Sequence, residues 1–102
     1  VEHGNTLYVS GQLGLDPVTN ALRDGVIHQA EQALENLNTI ITGSGFEKKG
    51  ILKCTVYLKD INNFKSVNEV YETFMDGHKP ARVALAKLPL DALVEIDAIV
   101  GK

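Results

Sequence analysis

Along this chain the apolar residues recur as a short run, then at helical spacing, then in alternation, and then through both spacings again. Leu7-Tyr8-Val9-Ser10 follows the turn-like Gly4-Asn5 and reads as a strand. Leu13-Gly14-Leu15 extends it past the small polar corner Ser10-Gly11-Gln12. Asp16-Pro17-Val18-Thr19-Asn20 is turn chemistry, because proline fixes φ and the Asp and Asn side chains bond nearby backbone. From about Val26 to Thr42, Ile27, Ala30, Leu34, Leu37 and Ile41 recur at three- and four-residue steps, with Glu31, Gln32, Glu35 and Asn38 between them. That spacing predicts an amphipathic helix, stopped by Gly43-Ser44-Gly45. Over Ile51 to Lys59 the pattern alternates, Leu52, Cys54, Val56 and Leu58 on one face and Lys53, Thr55, Tyr57 and Lys59 on the other. Asp60-Ile61-Asn62-Asn63 then offers N-cap oxygens to a second helix through about Met75, with Phe64, Val67, Tyr71 and Phe74 as its buried stripe. Asn68 and Glu72 lie at the edge of that stripe. Asp76-Gly77-His78-Lys79-Pro80 breaks the helix, and His78 is expected to be solvated on a turn.

Two strand-like runs close the chain, and each carries a charge. Arg82 precedes Val83-Ala84-Leu85-Ala86, and Glu95 sits among Val94, Ile96, Ala98 and Val100. With Pro89-Leu90-Asp91 as the turn, the runs are expected to form an antiparallel hairpin placing Arg82 opposite Ile99, on one face with Glu95. Four residues of strand separate them by roughly 13 Å. Either these are surface charges, or a guanidinium and a carboxylate hold a small molecule and a water between them.

The order of strands, helix, strand, helix and a final strand pair predicts an α+β layer, a mixed sheet with two helices packed on one face. No linker or repeat divides the 102 residues, so a single domain is expected. If the other sheet face is apolar it needs cover too, and in a chain this short oligomerisation is the economical way to supply it. A net charge of −3 without a basic stripe weighs against a nucleic-acid binder. No apolar run reaches the roughly 18 residues of a membrane span. The lone Cys54 suits a reducing compartment and, pointing with the apolar set, reads as a buried structural thiol with no base or cation on its face. His3, His28 and His78 are scattered and have no metal-ligand spacing. Gly11 and Gly14 lack the third glycine of a dinucleotide fingerprint. The chain opens at Val1 within strand-like sequence, so a preceding N-terminal segment is expected, and targeting is left open beside a cytoplasmic location.

The stretch from Asn5 through Ser10-Gly11-Gln12 to Asp16-Pro17 resembles the opening of the RidA/YjgF family of reactive-intermediate deaminases. So do Gln32-Ala33-Leu34-Glu35-Asn36-Leu37, Lys53 through Asp60, Val67-Asn68-Glu69-Val70-Tyr71, Pro80-Ala81-Arg82, Leu88-Pro89 and Val94 through Ile99, in the same order over nearly the whole chain. The resemblance implies a chorismate-mutase-like subunit in a homotrimer, with ligand clefts at subunit interfaces. It also implies cofactor-independent hydrolysis of 2-imino acids and their enamine tautomers to 2-oxo acids and ammonia. Arg82 would bind the substrate carboxylate and Glu95 would orient the hydrolytic water, with Ser10, Gly11 and Asn68 in the cleft wall. Three features depart from the family pattern. The N-terminal segment that contributes a cleft tyrosine is not in the chain, Arg82 stands two residues closer to the Leu-Pro turn, and Ala84 occupies a place often held by cysteine. Two rival readings belong to other classes: a module that binds small carboxylic acids without turnover, and the ribonuclease or translation-inhibitor activity attributed to some members of the family.

Overall fold

A computed structural model describes residues 1–86, 88 and 91–102. Strands β1 (Glu2–His3), β2 (Thr6–Leu13), β3 (Ile51–Leu58), β4 (Ala81–Leu85) and β5 (Val94–Gly101) form one mixed sheet in the order β1-β2-β5-β3-β4. Helices α1 (Val26–Gly43) and α2 (Phe64–Met75) cover one of its faces. This is the expected α+β layer. Ala30, Leu34, Leu37 and Ile41 from α1 and Val67, Tyr71 and Met75 from α2 are buried against Cys54, Val56, Ile96, Ala98 and Val100. Helix α1 stops where the Ser44 N–H donates to the Ile40 carbonyl at 3.0 Å and Phe46 N–H to Ile41 at 3.0 Å. A short 3-10 turn, Ile61–Asn63, leads into α2, and Asp60 Oδ1 accepts from the Asn62 N–H at 2.9 Å.

The expected hairpin of the last two runs does not form. β4 pairs in parallel with β3, Cys54 opposite Arg82, while β5 lies antiparallel between β2 and β3. Two features of the sequence explain the difference. Every second residue of β5 from Val94 to Val100 is fully or almost fully buried, which suits a central strand, whereas β4 is largely exposed and suits an edge. Parallel strands also need a long crossover, and α2 supplies one between β3 and β4. Of the expected turn, Pro89 and Leu90 lie outside the described residues.

Smaller expectations are also corrected. A register shift between Ile51 and Lys53 puts Ile51 in the core and leaves Leu52 56% exposed. Ile27, at the first turn of α1, is 48% exposed. Gln32 is buried rather than outward, because its Nε2–H donates to Asn36 Oδ1 at 2.8 Å. Asn36 in turn donates to the carbonyls of Leu13 and Leu15 at 3.2 and 2.9 Å, and Gln29 Oε1 accepts from the Leu93 N–H at 2.9 Å. These amides fasten α1 to the end of β2 and to the approach of β5. His78 is half-buried, and its Nε2–H donates to the Ile51 carbonyl at 2.7 Å.

Candidate active site

Strand parity decides where the two predicted charges point. Cys54, opposite Arg82, faces the helices and is fully buried, so Arg82 also leaves β4 on the helix side. An Arg82 Nη1–H donates to Asn68 Oδ1, and the guanidinium lies over the rings of Tyr71 and Phe64. The arginine stands on the wall of a cleft of about 450 Å³ shared with Tyr71, Glu72, Met75, His78 and Pro80. Ala84, two residues on, faces the same way and is half-buried.

Glu95 is on the other face. It pairs with Tyr57 of β3 and Leu13 of β2, while its neighbour Ile96 faces the core. Beside it β2 bulges between Val9 and Gln12, where Ser10 and Gly11 together oppose the single residue Asp97. Gly11 is packed so closely that a Cβ placed on it would stand 2.5 Å from both Cδ and Oε2 of Glu95. Only glycine leaves that carboxylate where it is. Asp97, next along this open face, accepts from the Thr55 N–H at 3.1 Å.

The predicted site residues therefore divide into two groups. Arg82 and Asn68 meet on the helix side of the sheet edge, and Ser10, Gly11 and Glu95 gather on the open face. The placement of Arg82 and Glu95 on one face is overturned. Their positions lie two strands apart, three residues apart along the strands (roughly 10 Å in each direction), and on opposite sides of the sheet. Within one chain they cannot hold one small molecule.

Cys54 is buried as expected, although a cation does stand on its face. The thiol lies across from Arg82 and close to the Tyr71 hydroxyl, yet burial outweighs the cation and pushes its pKa up to about 11. Tyr71 is likewise raised by burial. Among the described residues no group of three or more His, Cys, Asp or Glu side chains is placed to hold a metal ion, and no helix is long and apolar enough to cross a membrane. The sequence pattern marked Phe64 and Tyr71 as core stripe only. Nothing in the spacing signalled that their rings meet Arg82.

The family model described as endoribonuclease L-PSP matches residues 1–102. The chain belongs to this family, the RidA/YjgF family. Among its RidA/YjgF relatives, the mouse 2-iminobutanoate/2-iminopropanoate deaminase is 45% identical over 102 residues, covering 97% of this chain and 76% of the mouse protein. RidA from the Antarctic bacterium Psychrobacter sp. superposes with a TM-score of 0.94 at 41% identity, over 100% of this chain and 85% of that one. E. coli TdcF, solved with bound serine, gives a TM-score of 0.92 at 36% identity over 100% and 84% of the two chains.

Proposed function

We propose that this chain is a hydrolytic deaminase that converts 2-imino acids and their enamine tautomers to 2-oxo acids and ammonia. We place the reaction between two subunits of a homotrimer. The observation behind the composite site is the opposition of faces: Arg82 and Glu95 leave the sheet on opposite sides, so a single chain does not bring them together. A second copy brings its own Glu95 to the first copy's Arg82. The open sheet face has the character of an interface, because Tyr8, Val83 and Leu85 are 47%, 41% and 45% exposed on it. Deaminase activity in the mouse relative and serine in the TdcF crystal support a small substrate carrying a carboxylate.

Arg82 donates two parallel N–H···O bonds to that carboxylate, a geometry lysine cannot copy. Asn68 steadies the guanidinium, and Ser10 and Gly11 form the wall beside Glu95. The Glu95 carboxylate takes a proton from a water as its oxygen bonds to the C=N carbon, and delivers that proton to the nitrogen. The hydroxyl of the tetrahedral carbinolamine then gives its proton to Glu95, which passes it to the amino nitrogen as the C–N bond breaks. Ammonia departs and the 2-oxo acid remains. Such a relay contributes typically about 10²–10⁴-fold, enough for a substrate that is already reactive. Non-catalytic capture of a carboxylic acid would need Arg82 but not Glu95. The family's description as an endoribonuclease finds no basic stripe here to bind RNA, at a net charge of −3.

The test is suppression of semicarbazone formation from an imine generated by threonine dehydratase or an amino-acid oxidase. The wild type is expected to suppress it, and Arg82→Ala and Glu95→Gln are not. Full activity in Arg82→Ala would refute the arrangement, and no activity in the wild type on any imine would favour the binding module.

A further inference from the structure

Arg82 is gripped by a single stripe of α2. Its guanidinium carbon lies 4.8 Å from the Tyr71 ring centroid and 5.4 Å from that of Phe64, and its Nη1–H donates to Asn68 Oδ1. Positions 64, 68 and 71 are four and three residues apart, so one helix face presents ring, amide and ring to the edge strand. Both distances fall within the roughly 6 Å over which an aromatic quadrupole attracts a cation. The amide is itself oriented, because Asn68 Nδ2–H donates to Glu72 Oε1 at 3.4 Å.

The grip leaves the charge uncompensated. Arg82 makes no ion pair among the described residues; its hydrogen-bond partner is a neutral amide, and the nearby Glu72 oxygen faces that amide. An exposed arginine on an edge strand would otherwise sample many rotamers, and a ligand would have to select one. Immobilising one such side chain weakens binding by roughly two- to twelve-fold. We infer that Phe64 and Tyr71 are positioning residues, whose rings hold the Arg82 guanidinium in place, with its charge free, before a carboxylate arrives. This rests on the proposed role of Arg82 in binding the substrate carboxylate, and it assigns the rings a function beyond packing.

The test uses the intact protein and 2-oxobutanoate as a probe carboxylate, titrated by calorimetry. Phe64→Leu and Tyr71→Leu are each expected to weaken binding two- to twelve-fold and to raise KM for imine hydrolysis while kcat changes little. Phe64→Tyr and Tyr71→Phe, which keep the rings, are expected to bind like the wild type. In the unliganded wild type, the Arg82 Nε–H resonance, assigned by its loss in Arg82→Lys, should be ring-current shifted and ordered; this measurement needs no leucine variant to fold. Leucine variants that bind as tightly as the wild type, ring-retaining variants that fail equally, or an Arg82 signal at its random-coil position would each overturn the inference. Loss of probe binding and imine hydrolysis in the wild type would instead refute the proposed function itself, and the inference with it.

Discussion

Gly11→Ala is the sharpest single perturbation of the half of the site that we propose orients the water. The added methyl group would stand 2.5 Å from Cδ and Oε2 of Glu95 and 2.8 Å from its Cγ. Carbon and oxygen atoms in ordinary contact keep roughly 3.5–4 Å apart, so the carboxylate must retreat by about 1 Å. It is the far end of a flexible side chain on an open face, so it moves rather than the sheet. Gly11 is not among the residues with positive φ, so alanine adds no backbone strain. Displacing a positioned group by about 1 Å costs on the order of 10²-fold in rate. We therefore expect kcat for imine hydrolysis to fall by about that factor in Gly11→Ala, with the thermal midpoint close to that of the wild type and 2-oxobutanoate still bound through Arg82. The assay pairs the semicarbazone competition with a thermal melt. Wild-type turnover in a folded Gly11→Ala protein would refute the role given to Glu95 and its neighbour.

Three further outcomes follow from the interior of the fold. Cys54, fully buried and raised from 9.0 to about 11, should resist iodoacetamide in the native protein even at pH 9 and react promptly once unfolded. Because the folded thiol holds its proton more tightly than the unfolded one, the stability it carries is complete below pH 9 and is lost as pH rises from there through about 11. Cys54→Ala should show less of that alkaline loss in urea titrations. Asn36→Ala removes the donor to the Leu13 and Leu15 carbonyls and the acceptor for Gln32, and should cost about 1–3 kcal/mol of stability by urea denaturation.

The two helices were legible because large apolar residues at three- and four-residue steps have one way to be buried. Their ends were less so. Ile27 fits the stripe by spacing, yet it lies at the first turn, where little stands against it. The strands were found, but not their partners. A proline-containing turn suggested that consecutive runs pair, whereas pairing was decided by which run could be buried centrally, and that was β5. One irregular residue at Leu52 reversed which of Ile51 and Leu52 enters the core. Alternation cannot announce such a bulge. Gln29 and Gln32 are buried because each amide finds partners, Gln29 in Arg23 and Leu93 and Gln32 in Asn36, and a polar symbol in a pattern does not distinguish a satisfied amide from a solvated one. At the site, Arg82, Glu95, Ser10, Gly11 and Asn68 were singled out from the sequence. Which of them meet was not, because the face of Arg82 follows from its pairing with Cys54, a contact between segments 28 residues apart in the chain.

That division of faces yields the most direct measurement. Arg82→Ala and Glu95→Gln, each expected to be inactive alone, are co-expressed with different tags, and the mixed oligomers are isolated and assayed for imine hydrolysis. If each site of a trimer takes Arg82 from one subunit and Glu95 from its neighbour, every mixed trimer holds about one site in three with both groups intact, and about a third of wild-type activity should return. No recovery in oligomers shown to contain both variants would contradict a site shared between subunits.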